Sequence, residues 1–166
     1  MPYTDRFIAT DNLITHLRPL VGAITDTSIK ANYAGFLSVS AVTVYELAIK
    51  DVFNNFAAKK NKVFGMFVEK YFFRINGKIK IEHLKDSHIK LFGEKYFNNF
   101  DTSLENKERA VLATSIISIK YSYNNLITCR HDYVHKGSPI LTINEVMDSY
   151  NYGKKVIHCL NEAMKR

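Results

Sequence analysis

Proline and glycine are scarce in this chain, with three and seven residues among 166. Helix breakers are therefore few, and long helices are easy to place. Cysteine is scarcer still: only Cys129 and Cys159 occur. Two thiols are too few for a disulfide framework, so both are expected to stay reduced. The chain has no uninterrupted apolar run of about 18 residues, which excludes a hydrophobic spanning helix. Met1-Pro2-Tyr3-Thr4-Asp5 lacks the charged-then-apolar build of a secretory signal. A cytoplasmic protein with no membrane partner is the expectation. Acidic residues are outnumbered, since 16 Asp and Glu face 23 Lys and Arg for a net charge of +7. Such a surface suits phosphate-bearing partners, whose binding weakens as salt rises. Several chemistries lack their signatures: there is no Gly-rich phosphate loop, H-E-x-x-H, C-x-x-C or G-x-S-x-G. With no repeat and no low-complexity tract, one domain over residues 1–166 is expected.

What is present is core material. Hydrophobic residues make up 46% of the chain, including eleven Phe and ten Tyr. Apolar spacing predicts a first helix over about 5–21, with Phe7, Ile8, Leu13, Ile14, Leu17 and Leu20 inward. A second, over about 28–58, follows the N-cap candidate Asp26-Thr27-Ser28. Its apolar face is Leu37, Ala41, Val44, Tyr45, Ala48, Ile49, Val52, Phe53 and Phe56. The basic break Lys59-Lys60-Asn61-Lys62 leads into a short aromatic helix, and Asn76-Gly77 is a turn signal. Lysines and aromatics alternate from 59 to 100 in a way that superficially suggests base stacking. At helical spacing these aromatics read as core instead.

A helix over about 81–97 would bury Leu84, His88, Leu91, Phe92 and Tyr96, leaving His83 and His88 as ordinary surface or packing residues. Thr102-x-x-Glu105 resembles a capping box and predicts one long helix over about 104–136. Thr142-x-x-Glu145 opens a last helix to about Met164, with Val146, Tyr150, Val156, Ile157 and Leu160 in the core. These elements amount to an all-α, up-and-down bundle of five to six helices.

The long helix ends on Arg130-His131-Asp132-Tyr133-Val134-His135. Its stripe, Leu112, Ile116, Ile119, Tyr123 and Leu126, continues by the same steps to Arg130 and Tyr133. A guanidinium thus takes the place of a hydrophobe, a costly arrangement unless an anion meets it. Lys136-Gly137-Ser138-Pro139 then closes the helix, with Gly137 as the expected C′ residue.

Arg, a polar residue, three further residues and His form a motif that resembles the R-x4-6-H motif of HEPN domains, small all-helical modules. The order of Ser40-Ala41-Val42-Thr43-Val44-Tyr45-Glu46, Arg74-Ile75-Asn76-Gly77 and Leu91-Phe92-Gly93-Glu94-Lys95-Tyr96 is similar to RiboL-PSP-type HEPN sequences. The likeness covers about residues 27–140. It implies an endoribonuclease that needs no metal or other cofactor, with Arg130 on the scissile phosphate and His135 in proton transfer. His131 would position the phosphate or the Arg, with Asp132 and Tyr133 in support. Lys136 and Lys50 would meet substrate. Glu46 would either pair with Lys50 on its own helix or orient Arg130 from the neighbouring one. Products would carry 2′,3′-cyclic phosphate and 5′-hydroxyl ends, and such modules resemble toxins and phage-defence effectors.

Positions five apart on a helix point about 140° apart, so Arg130 and His135 would share a target only if the last turn unwinds or a second copy completes the site. The resemblance favours a homodimer acting on RNA. Partner proteins implied by the likeness are an antitoxin, a nucleotidyltransferase or an ATPase. Some partnered members also carry a Tyr two residues after the motif His; this chain has Gly137 there, which argues against that toxin–antitoxin subtype. Two other readings remain open from the residues. His131 and His135 lie on one helical face and could ligate zinc with Asp132 or Cys129, or the domain could bind RNA or a nucleotide without cutting, or only assemble with a partner protein.

Overall fold

A computed structural model describes residues 2–75 and 77–165. After a short 3-10 turn, α1 (Ile8–Leu17) leads to the long α2 (Thr27–Lys60), and α3 (Lys62–Phe72) folds back along it. The single-turn α4 (Ile81–His83) opens an irregular stretch that precedes α5 (Glu94–Ser115), α6 (Ile119–Lys136) and α7 (Ile143–Lys165). The longer helices form an all-α, up-and-down bundle, and no strand occurs among the described residues. None of these helices is long and apolar enough to cross a membrane.

Local chemistry sets most helix ends. The Asp26 carboxylate accepts the Ser28 and Ile29 N–H groups, satisfying two donors that the first turn of α2 leaves without helical partners. Asn61 closes α2 and, through its side-chain oxygen, caps α3 at Val63 and Phe64, so the basic break is a single shared cap residue. The Thr142/Glu145 capping box is complete. Thr142 Oγ1 accepts the Glu145 N–H, and the Glu145 carboxylate accepts the Thr142 N–H at 2.8 Å, which holds the Glu145 carboxyl below its usual range.

The centre of the bundle is aromatic. Tyr45 of α2 stacks between Tyr123 of α6 and Tyr150 of α7, with ring centroids 5.3 and 5.6 Å away, and all three are fully buried. Their hydroxyls are satisfied, as burial requires: Tyr45 donates to the Tyr150 carbonyl and Tyr123 to the Ile79 carbonyl. The expected inward faces of α2 and α7 hold.

Four expectations do not. Near the start of the chain Phe7, Ile14 and Leu17 turn inward, but Ile8, Leu13 and Leu20 are exposed. The helix over 104–136 is two helices, because Ile116 adopts a left-handed conformation (φ 59°) and points 91% exposed into solvent. The buried Glu108 carboxylate holds the break, accepting from Ser118 Oγ and from the Ile119 and Lys120 backbone N–H groups. Thr102 and Glu105 therefore lie inside α5, which starts at Glu94. The helix over 81–97 is interrupted as well. A π turn at Leu84–His88 inserts an extra residue and shifts the helical phase beyond it, so Leu91 faces outward at 61% exposure. Finally, only part of the aromatic set is core: Phe53, Phe72 and Phe92 stack inside, whereas Phe67, Tyr71 and Phe73 are exposed. Of the Asn76-Gly77 turn signal, Asn76 lies outside the described residues, and Gly77 has a positive φ of 77°.

Two histidines, His88 buried and His158 half-buried, tie stability to pH. His88 Nε2 donates to the Lys78 carbonyl, and its Nδ1 has no partner, so a second ring proton would be unsatisfied. His158 Nδ1 accepts the Tyr3 hydroxyl. Burial pushes both pKa values down. A lowered histidine pKa leaves stability intact above about 6.5, the unfolded value, and erodes it as pH falls through the lower folded values. Paired carboxylates such as Glu145 act only nearer pH 4. Urea midpoints are expected to fall between pH 7.5 and 5.0, and His88→Gln should flatten that slope; an unchanged slope would remove the assignment.

Candidate active site

α6 is packed by Tyr123, Leu126 and Cys129, all fully buried, and its regular winding continues through Lys136. Gly137 ends it at φ 72°, a left-handed conformation open to glycine at little cost, and donates its N–H to the Tyr133 carbonyl. The last turn therefore does not unwind. Arg130, His131 and His135 nevertheless border one groove of about 410 Å³. The length of the arginine side chain bridges the angle between the two Cα directions.

The opposite wall is the segment from Gly77 to His83, joined by Val42 of α2. Here sequence reasoning missed the essential pattern. Lys78-Ile79-Lys80-Ile81 alternates basic and apolar residues with period two, the mark of an extended half-buried segment. Ile79 is fully buried and Ile81 nearly so, which leaves Lys78 and Lys80 to the groove. Distant side chains pin this backbone. Glu46 accepts the Gly77 N–H at 2.8 Å, His88 holds the Lys78 carbonyl, Tyr123 the Ile79 carbonyl, and Asn124 accepts the Ile81 N–H. His83, read from sequence as an ordinary residue, also lines the groove.

The groove is thus rich in positive charge, with Lys78, Lys80 and Arg130 around it and Glu82 as its one acid. Arg130 is half-buried and forms no ion pair among the described residues, so its guanidinium is available to an outside anion. His131 and His135, one turn apart, hold their ring centroids at 4.4 Å.

The supporting residues take other places. Asp132 pairs with Lys136 at 2.7 Å on the same helix, and this bond holds its carboxyl below the usual range. Lys136 is thereby engaged at the helix end and does not line the groove. Tyr133 packs over Gly35 of α2 and meets Phe36 edge-on at 5.6 Å. Glu46 does not reach Arg130, because its carboxylate is committed to Gly77. Nor does Lys50 line the groove; its ammonium donates to the Phe73 carbonyl where α3 ends. Tyr133, Glu46 and Lys50 act as structural ties around the groove.

Gly35 has a strict reason to lack a side chain. A Cβ there would fall 2.2 Å from the Tyr133 ring. Gly35→Ala should displace Tyr133 with the end of α6 and cost about 1–3 kcal/mol, the range for overpacking. A urea midpoint within error of the parent would contradict that packing.

A metal fits this set poorly. No group of three His, Cys, Asp or Glu stands together among the described residues. Cys129 is fully buried, with its thiol pKa raised by burial, and Asp132 is taken by Lys136. The zinc reading therefore lacks its third donor.

A helical bundle that presents Arg, a polar residue and His near the end of a late helix, against a basic wall, has the form of a HEPN-type domain. The chain belongs to the RiboL-PSP-HEPN family, whose model matches residues 4–166. No curated protein and no solved structure matches it.

Proposed function

We propose that the protein is an endoribonuclease that works without a metal. What carries this reading is the convergence of Arg130, His131 and His135 on one cationic groove, with the guanidinium in no ion pair among the described residues. Transfer to a ribose 2′-hydroxyl needs a base for its proton, an acid for the departing 5′ oxygen and a cation for the charge gathering on the phosphate. Arg130 offers a planar fork to two phosphate oxygens. His135 takes the proton from the 2′-hydroxyl, whose oxygen then attacks phosphorus as the bond to the 5′ oxygen breaks. The 5′ oxygen leaves with a proton donated by the imidazolium of His135 in a facing second copy, so one histidine ends protonated and the other neutral. His131, whose ring lies tilted beside that of His135, positions the phosphate. Lys78 and Lys80 draw the backbone in. Release leaves a 2′,3′-cyclic phosphate and a 5′-hydroxyl. A homodimer, assembled about a two-fold axis with the grooves opposed, gives each phosphodiester the two imidazoles it needs.

The test is to incubate purified protein with labelled RNA in EDTA and to identify the product ends. Cutting that yields cyclic phosphate, and is lost in Arg130→Ala and His135→Ala, is the expected result. Undiminished cutting by either variant would remove the site. Salt-sensitive RNA binding with no cutting would instead favour a non-catalytic RNA-binding subunit working beside a partner protein.

A further inference from the structure

Charge and exposed aromatic surface coincide on one side of this protein. Residues 59–80 contain seven of the 23 Lys and Arg and a single acid, Glu69, so this stretch holds +6 of the net +7. Within it, α3 buries Gly65, Val68 and Phe72 against α2 and turns Val63, Met66, Phe67 and Tyr71 outward. Phe67 is 66% exposed, and Phe73, just past the helix, is 73% exposed. The Phe67 and Tyr71 rings are near-parallel at 22°, with centroids 6.5 Å apart. None of the five belongs to the groove.

The position of this face relative to the groove is set by α2. Val42 lines the groove, Glu46 holds Gly77, and Lys50 holds the Phe73 carbonyl. These three lie at one-turn intervals, so groove, Gly77 and Phe73 succeed one another over about 12 Å. α3 then runs on beside α2, close enough that a Cβ at Gly65 would lie 3.0 Å from the Ala58 Cα. Lys70, Arg74, Lys78 and Lys80 keep the same order toward the motif.

We propose that the outer face of α3, continued by Phe73, is a stacking platform for single-stranded RNA, with Lys70, Arg74, Lys78 and Lys80 leading its phosphates into the Arg130–His135 groove. The proposal takes its ligand from the ribonuclease reading above. Unpaired bases stack on exposed rings without regard to sequence, while cations beside the rings track the backbone. A polyanion suits this face because its charge complements the cations that flank the exposed rings.

The test uses the full chain carrying His135→Ala and a fluorescent oligouridine of about 12 nucleotides. In that background, Phe67→Leu with Tyr71→Leu keeps the apolar area and removes the rings. Anisotropy should show binding about tenfold weaker or more, with an unchanged melting temperature. Lys70→Gln with Arg74→Gln should lower the salt dependence by about one unit of slope. Equal affinity in the leucine pair would overturn the platform. So would a dimer that falls apart in sedimentation while RNA affinity is kept, which would mark the face as a contact between copies. Binding that depends on α3 in a wild type that never cuts RNA would keep the platform and sink the nuclease. Cutting that is indifferent to α3 would sink the platform alone. A parent that binds no oligouridine overturns the platform, and the cutting assay then judges the nuclease separately.

Discussion

His135→Ala is expected to slow RNA cleavage by about 10²–10⁴, the range for removing a positioned acid or base. The effect should fall on the rate at saturating RNA rather than on affinity, since the proposal gives phosphate binding to the lysines and Arg130 that line the groove with His135. Arg130→Ala should cost about 10²–10³ in the same rate, comparable to removing one donor to a developing oxyanion. Arg130→Lys should recover little, because an ammonium lacks the planar fork that spans two oxygens. His131→Ala is the discriminating control. Its ring lies 4.4 Å from that of His135, yet a positioning role predicts a smaller loss than His135→Ala. Equal losses would make the two imidazoles joint proton carriers within one chain, and the opposed second copy would then have no chemical task.

Glu108→Ala is expected to cost about 2–4 kcal/mol in unfolding free energy, combining the loss of a helix cap with a buried N–H left unpaired. The Glu108 side chain closes the gap between α5 and α6: Oε1 accepts from Ser118 Oγ, and Oε2 accepts from Ile119 at 2.8 Å and Lys120 at 3.3 Å. It also sets a negative charge against the positive end of α6. Ile116 stays in its left-handed conformation only while this network holds the chain there. For a protein of this size the change amounts to a melting point lower by about 5–15 °C. Glu108→Gln keeps one acceptor oxygen and should lose about half as much. A loss below about 1 kcal/mol for Ala would show that the break is held by packing alone. Because α6 carries Arg130 and His135, Glu108→Ala protein that remains folded should also cut RNA more slowly.

The groove was half legible in the sequence. Arg130, His131 and His135 could be singled out because a cation falls on an apolar stripe next to two imidazoles. That reasoning led to three residues that border one groove, but through an incorrect element, since Leu112 and Ile116 belong to α5 or the break and not to the helix of the motif. Lys78 and Lys80 were obscured by reading 81–97 as a continuous helix, although the alternation from Lys78 to Ile81 was there to be seen. Glu46 shows the opposite case. Its place on α2 suggested a salt bridge, and its actual partner is a backbone N–H 31 residues away.

By itself the sequence determined the caps at Asp26, Thr142 and Gly137, which faces of α2 and α7 turn inward, and that Arg130, His131 and His135 crowd one helix end. Each is set by neighbours within about one turn, where caps and side-chain periodicity act. Only the tertiary structure decided that α5 and α6 are separate, that residues 77–83 form the second wall, and that the aromatics of α3 face solvent. Those outcomes rest on bonds across long sequence separations, such as Glu108 to Ile119 and Tyr123 to Ile79. They rest equally on how many helices are present to cover a given face, and no local spacing contains that count.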